Sequence, residues 1–199
     1  MKALLRKDFL VLSTSFRRVL VIWLIFPLVA MINPSMSYFA LYIGLVAGTL
    51  STSLINLEEK ENWNTFAGSL PISKKDVVTE RYLFTLLMVA AATLIGAICY
   101  CSYLVRGLNE FANPTIILSN FAYSLLLPAL TLPATYRFGV EKARYIVMVV
   151  VLLLTLLSTF LTSVPARSAI PYSLLFFLGI STVFYISYLI SVKWYSDKN

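Results

Sequence analysis

The residues most able to carry chemistry or bind a partner lie in one polar stretch, NLEEKENWNTFAGSLPISKKDVVTERY, from Asn56 to Tyr82. More than half of the acidic residues of the chain fall within it. Trp63, Phe66, Ala67 and Leu70 recur at the i, i+3, i+4 and i+7 spacing, which places side chains on one face of a helix. The spacing therefore predicts a short helix with an aromatic face inside this stretch.

The residues after the short helix predict a stop and then a new helix. Pro71 cannot continue a helix, and Ser73 precedes Asp76 by three positions, as in a capping box at a helix start. An aromatic face with a charged rim has the composition of a protein–protein hot spot. Aromatic side chains also anchor loops at lipid head groups. The residues alone fit both a docking element and an anchored loop.

Several kinds of chemistry are missing from the sequence. The chain has no histidine, which excludes histidine-containing metal sites and Ser-His catalytic dyads. It also lacks the G-x-x-x-x-G-K-[ST] motif whose backbone amides wrap a phosphate group, so we expect no ATP hydrolysis by the chain itself. We predict that it is not an enzyme and that it binds no metal or cofactor of its own.

The composition places the chain in the membrane class. Hydrophobic residues make up 59% of its 199 residues and charged residues 13%, whereas a soluble domain has about 45–50% and about 25%. We predict an all-α integral membrane protein that forms a single transmembrane domain over residues 1–199. The predicted elements are an amphipathic interfacial helix over residues 1–18 and six spans, about 19–32, 36–57, 82–105, 114–136, 145–164 and 170–192.

The predicted spans have two further features. None carries a charged residue in its middle, and ion-coupled carriers usually keep one there. This argues against a secondary transporter. Pro128 and Pro133 lie inside the fourth span and should kink or break it.

The positions of the basic residues predict the orientation. If the N-terminus is cytoplasmic, 14 of the 16 lysines and arginines lie on the inner side, and only Arg106 and Arg167 lie in outer loops. Lysine and arginine collect in cytoplasmic loops. Both termini are therefore predicted to be cytoplasmic. The net charge of +7 is better explained by topology than by nucleic-acid binding, and no nucleic-acid partner is predicted.

The run LPISKKDVVTERY resembles a motif of the small bacterial type-2 ATP-binding-cassette (ABC) exporter permeases. The matching positions are Leu70, Pro71, Ser73, Val77, Val78, Arg81 and Tyr82. The opening MKALLRKDF resembles the N-terminal amphipathic helix of the same family. Within it, the chain is similar to the membrane subunits that export phenol-soluble modulin peptides.

The resemblance implies a partner and a docking element. A cytoplasmic coupling helix between spans two and three, here Glu61 to Leu70, would sit in a cleft of a separate ABC ATPase subunit. Two ATPase subunits, which bind ATP and Mg, would work with two copies of the permease. The implied ATPase-coupling residues are Glu58, Glu61, Trp63, Phe66, Leu70 and Pro71.

The resemblance also implies a cargo and a path. The cargo would be an amphipathic or hydrophobic substrate, such as a phenol-soluble modulin or an antimicrobial peptide, exported across the bacterial cytoplasmic membrane. Spans two and five would line the substrate cavity, with Tyr38, Phe39, Tyr42, Ser51, Thr52, Thr155, Ser158, Thr159 and Phe160. Serine and threonine also mediate helix packing in membranes. The alternative function is a stand-alone small membrane channel or scaffold protein without an ATPase partner. Membrane lipids are predicted partners of the chain.

Overall fold

A computed structural model describes residues 2–33, 39–61, 63, 73–108, 115–162 and 169–197, and all regular structure within them is helical. This confirms the all-α prediction for the described part of the chain. The seven long helices are α1 (Lys2–Ser15), α2 (Arg17–Ile32), α3 (Phe39–Lys60), α4 (Lys74–Val105), α5 (Thr115–Phe138), α6 (Val140–Thr162) and α7 (Ala169–Asp197).

Two helices of the described residues are long and apolar enough to cross a membrane, α4 and the part of α7 from Leu174 to Asp197. A third span results if α1 and α2 count together, although their axes are bent by 82°. Helices α3, α5 and α6 have 22, 24 and 23 residues, and about 20 suffice to span. The total of six spans stays a prediction.

The N-terminal helix is separate from the first predicted span. Residues 1–18 were predicted as one helix, but α1 ends at Ser15 and α2 begins at Arg17. The corner is tight, because the Phe16 amide donates to the Leu12 carbonyl at 3.1 Å and the Leu20 amide donates to the Phe16 carbonyl at 3.0 Å. Hydrogen bonding therefore continues across the bend.

Three helices extend past the predicted spans at the end predicted to be cytoplasmic. Helix α4 starts at Lys74, α6 starts at Val140 and α7 ends at Asp197. The extra turns are polar, so a search for apolar runs does not find them. No glycine or proline interrupts them, so the helices can continue through them. The inner loop expected between α5 and α6 shrinks to Gly139, whose φ of +83° suits glycine.

Helix α5 is the central helix of the bundle and contacts α3, α4, α6 and α7. It continues as one helix through Pro128 and Pro133, so of the predicted kink or break, the break does not occur. Neighbouring helices and local adjustments hold proline-containing helices together in membrane proteins. The packing around α5 supplies such support.

Two large apolar clusters fill the described part of the bundle, beside a small one around Leu127 of α5. One joins α4, α5 and α7 around Tyr82, Leu132 and Phe184. The other joins α1 to α2, α3 and α4 around Leu12, Trp23 and Phe84. Both clusters include residues from the first half of α4, with Tyr82 in one and Phe84 in the other, so the two parts of the core meet along this half of the helix.

Candidate functional site

Arg81 lies at the centre of a buried ionic cluster, formed by Lys7, Asp8, Glu58, Glu80 and Arg81. Its side chain is 2% exposed. Nη1 donates to Asp8 Oδ2 at 2.6 Å and Nη2 donates to Glu58 Oε2 at 2.7 Å. A buried charge is costly unless it is well paired. The planar fork of arginine meets that need because it can serve two carboxylates at once.

The cluster draws its members from three helices. Asp8 lies on the buried face of α1 between Leu4 and Leu12, at four-residue intervals, so its carboxylate points into the bundle. Glu58 is in the last turn of α3, and Arg81 is near the start of α4. The ion pairs thus join α1 to both helix ends that flank the α3–α4 connection, residues 61–73.

Lys7 extends the cluster to Trp63. Its ammonium pairs with Glu58 and lies 3.2 Å from Asp8 Oδ1. The same Nζ lies 4.0 Å from the centroid of the Trp63 ring, a distance at which a cation is attracted to an aromatic face. Trp63 is half-buried. One aromatic residue of the predicted coupling helix is therefore attached to α1.

Glu80 adds a third carboxyl to the cluster. It is 1% exposed and has Asp8 as an acidic neighbour. Its Oε1 has no hydrogen-bond partner within the described part of the chain. The cluster thus holds three acidic side chains against two basic ones. Arg81 is consequently surrounded by acidic groups from α1, α3 and its own helix.

The predicted coupling residues have different outcomes. Glu58 belongs to α3 and is paired within the chain, and Glu61 is exposed just after that helix. Phe66, Leu70 and Pro71 lie outside the described residues. The predicted helix start at Ser73 is confirmed, because the Asp76 amide donates to Ser73 Oγ at 3.1 Å.

A cavity of about 330 Å³ with both polar and apolar lining groups opens between α3, α5 and α6. The Thr49, Thr52 and Thr135 hydroxyls donate to carbonyls of their own helices, so their lone pairs remain free to accept from a guest molecule. Arg144 is the basic residue of the lining. The lining consists of Thr49, Thr52, Ser53, Asn56, Thr135, Val140, Ala143, Arg144 and Met148.

Among the predicted substrate residues whose side chains the structure describes, Thr52 lines this cavity. Ser51 is instead fully buried and hydrogen-bonded to Thr85 of α4 at 2.6 Å. Tyr42 is 58% exposed on the surface of α3. Tyr38 lies outside the described residues, as do the side chains of Phe39, Thr155, Ser158, Thr159 and Phe160.

The sequence analysis missed the partnership of Lys7, Asp8 and Arg81. The sequence indicates Arg81 only as a motif position and Lys7 only as one of the 14 basic residues on the predicted inner side. One signal was available: Asp8 interrupts the Leu4–Leu12 apolar stripe of an amphipathic helix, and a buried carboxylate requires a partner. The identity of that partner could not be obtained, because Asp8 and Arg81 are far apart in the sequence.

A comparison with protein-family models assigns this architecture to a family. Residues 3–196 match the model described as "ABC-2 family transporter protein", which includes the whole ionic cluster and the cavity. The chain belongs to the ABC-2 transporter family. Searches of curated proteins and of solved structures each found no match.

Membership in the ABC-2 family gives the chain its general role. An ABC-2 protein is the membrane subunit of an ABC transporter and works with an ABC ATPase. The apolar helices agree with a membrane-integral protein. The resemblance drawn from LPISKKDVVTERY is confirmed at the level of this family.

Proposed function

We propose that this ABC-2 permease is the membrane subunit of an exporter in the bacterial cytoplasmic membrane. Its cargo is an amphipathic or hydrophobic substrate, such as a phenol-soluble modulin or an antimicrobial peptide. The permease itself has no catalytic activity and binds no cofactor. Two copies of it work with two ATPase subunits, which bind ATP and Mg. Six spans cross the membrane, and both termini are cytoplasmic.

One observation carries the mechanical part of this proposal: the ionic cluster anchors both ends of the α3–α4 connection. A segment that receives force from an ATPase must pass it to the spans without yielding. Glu58 and Arg81 hold the end of α3 against the start of α4 at 2.7 Å. When ATP draws the ATPase subunits together, the connection and its attached helices move as rigid bodies.

The cavity between α3, α5 and α6 supports the proposed substrate class. Its wall combines hydroxyls, the Asn56 amide and Arg144 with the apolar Val140 and Met148. Such a lining suits a molecule with one polar and one apolar side. Tyr145 and Met148 of α6 are exposed next to it, and a second copy of the permease would cover this face. Outward transport rests on the resemblance to exporters.

Purification of the tagged permease from its native membrane tests the partnership. We expect a P-loop ATPase to co-purify in a one-to-one ratio, and ATP hydrolysis to require both proteins. A chain that reproducibly purifies without an ATPase would instead support the stand-alone channel or scaffold.

The docking residues are tested by the double variant Trp63→Ala with Phe66→Ala. Loss of hot-spot aromatics typically costs about 2 kcal/mol or more of binding free energy, so we expect loss of the ATPase or uncoupled hydrolysis. Membrane insertion should be unchanged. The matched control is Val183→Ala with Tyr185→Ala, two exposed α7 residues. Normal assembly and transport in the first variant would refute the docking role.

A further inference from the structure

Arg81 is bound more specifically than stability alone requires. Apolar residues of similar size often stabilise a buried position as well as an ion pair does. Apolar packing already holds α1, because Leu12 belongs to the cluster that includes Trp23 and Phe84. The ion pairs add a fixed orientation of the helices, because each Nη nitrogen of the guanidinium holds one carboxylate on one helix.

Two sets of contacts, one made by Arg81 and one by Lys7, attach the α3–α4 connection to α1. Arg81 joins α4 to Asp8 at 2.6 Å and to Glu58 of α3 at 2.7 Å. Lys7 pairs with Glu58 and lies over the Trp63 ring. Both ends of the connection, and one residue within it, are therefore attached to a single turn of α1.

Helix α1 is in turn joined closely to α2. The backbone hydrogen bonds across Phe16 leave no free linker between the two helices, and the axes meet at 82°. A displacement of α1 would therefore tilt the start of α2. This gives a continuous route from the α3–α4 connection to a helix that is far from it in the sequence.

We propose that Arg81 is a positioning residue that fastens α1 to both ends of the α3–α4 connection, so that α1 and α2 move with the connection during transport. This inference rests on the proposed function, since the ATPase supplies the motion. The N-terminal helix then becomes a working part of the coupling apparatus. Arg81 acts through Asp8 and Glu58.

Asp8→Asn is the sharpest variant for a test. It keeps the shape of the side chain and removes its charge, while Arg81 remains paired with Glu58, so the chain should still fold. Arg81→Met removes both pairs and is used only if it purifies in a folded state. Asp197→Asn is the matched control, because that aspartate is exposed at the end of α7.

The link itself is measured on the permease alone. Spin labels at Ser13→Cys and Lys75→Cys, two exposed positions on α1 and α4, are placed in a chain carrying Cys99→Ala and Cys101→Ala. We expect one narrow distance in the parent protein and in Asp197→Asn, and a broadened distribution in Asp8→Asn. An unchanged distribution in Asp8→Asn overturns the inference. This measurement does not involve the ATPase, so failure of the inference can be distinguished from failure of the proposed function.

The functional consequence is measured on the complete complex in liposomes, with a synthetic amphipathic helical peptide as the probe. In Asp8→Asn we expect peptide transport per ATP hydrolysed to fall about tenfold, with ATP hydrolysis itself largely retained. In the parent protein, the distance between the two spin labels should not change when Mg, ATP and vanadate are added. In Asp8→Asn, a second distance should appear under the same conditions. Equal loss of hydrolysis and transport, or no loss of either, would refute the positioning role.

Discussion

Gly44 and Gly48 allow α3 to approach α5 more closely than larger side chains would permit. A Cβ added at Gly44 would overlap Ser124 Oγ and lie 2.5 Å from Asn120 Oδ1. At Gly48 it would lie 2.7 Å from the Ser124 carbonyl oxygen. Small residues at four-residue spacing are typical of helix contacts in membranes. These two glycines therefore determine the spacing of α3 and α5 beside the cavity.

Gly44→Ala should lower the free energy of unfolding by about 1–3 kcal/mol, the usual cost of overpacking a filled core. Gly179→Ala is the control, because nothing lies within 4 Å of its added Cβ and alanine favours helix by up to about 1 kcal/mol. Thermal unfolding of the purified proteins in detergent checks both. Equal stability of the two variants would contradict the close approach.

At the scale of the element, α4 is the helix that carries most of the coupling features. It begins with the Ser73 cap, places Arg81 in the ionic cluster, and directs the Tyr82 hydroxyl to Ser187 and Ser191 of α7 at 2.7 and 2.8 Å. Its first turns precede the predicted span. A stable start of α4 is therefore needed to hold the α3–α4 connection.

Ser73→Ala should weaken the start of α4 by about 1 kcal/mol, because the Asp76 amide loses its side-chain acceptor and keeps only the Ser73 carbonyl at 3.0 Å. Hydrogen exchange of the amides in the first turn, residues 74–77, should become faster, and Ser73→Asp should restore the slow rate. Ser196→Ala is the control, since that hydroxyl donates to the Lys193 carbonyl of its own helix. Unchanged exchange in Ser73→Ala would show that the cap is dispensable.

At the scale of the whole molecule, two exposed basic residues predict how the chain is oriented in the membrane. Lys142 lies near the start of α6, and Arg106 lies just after the end of α4. Both are exposed. The positive-inside rule puts Lys142 in the cytoplasm and Arg106 outside. The ionic cluster then lies at the cytoplasmic end, where an ATPase could reach the α3–α4 connection.

Single cysteines in a chain with Cys99→Ala and Cys101→Ala test this orientation. A membrane-impermeant maleimide should label Arg106→Cys in intact cells, and should label Lys142→Cys only after the membrane is permeabilised. The comparison is internal, because each variant is the control for the other. The reverse pattern would place the ionic cluster on the outer side and exclude ATPase docking there.

The sequence by itself determined the helical class, the approximate helix positions and the family. Apolar runs that are long enough to span a membrane can adopt few structures, because each backbone polar group in a lipid core must be hydrogen-bonded within the protein. Local rules also gave the Ser73 cap, since capping depends on residues three positions apart. The motif ending in Arg81 and Tyr82 indicated the ABC-2 family without any knowledge of contacts.

Only the tertiary structure decided what Asp8, Lys7 and Arg81 do, and that Ser51 binds Thr85 while Thr52 lines the cavity. These outcomes depend on contacts between helices that are distant in the sequence, and no periodicity encodes which carboxylate meets which guanidinium. The buried ion pairs of Arg81 and the packing around Tyr82 further stabilise the polar turns of α4 between the Ser73 cap and the apolar run.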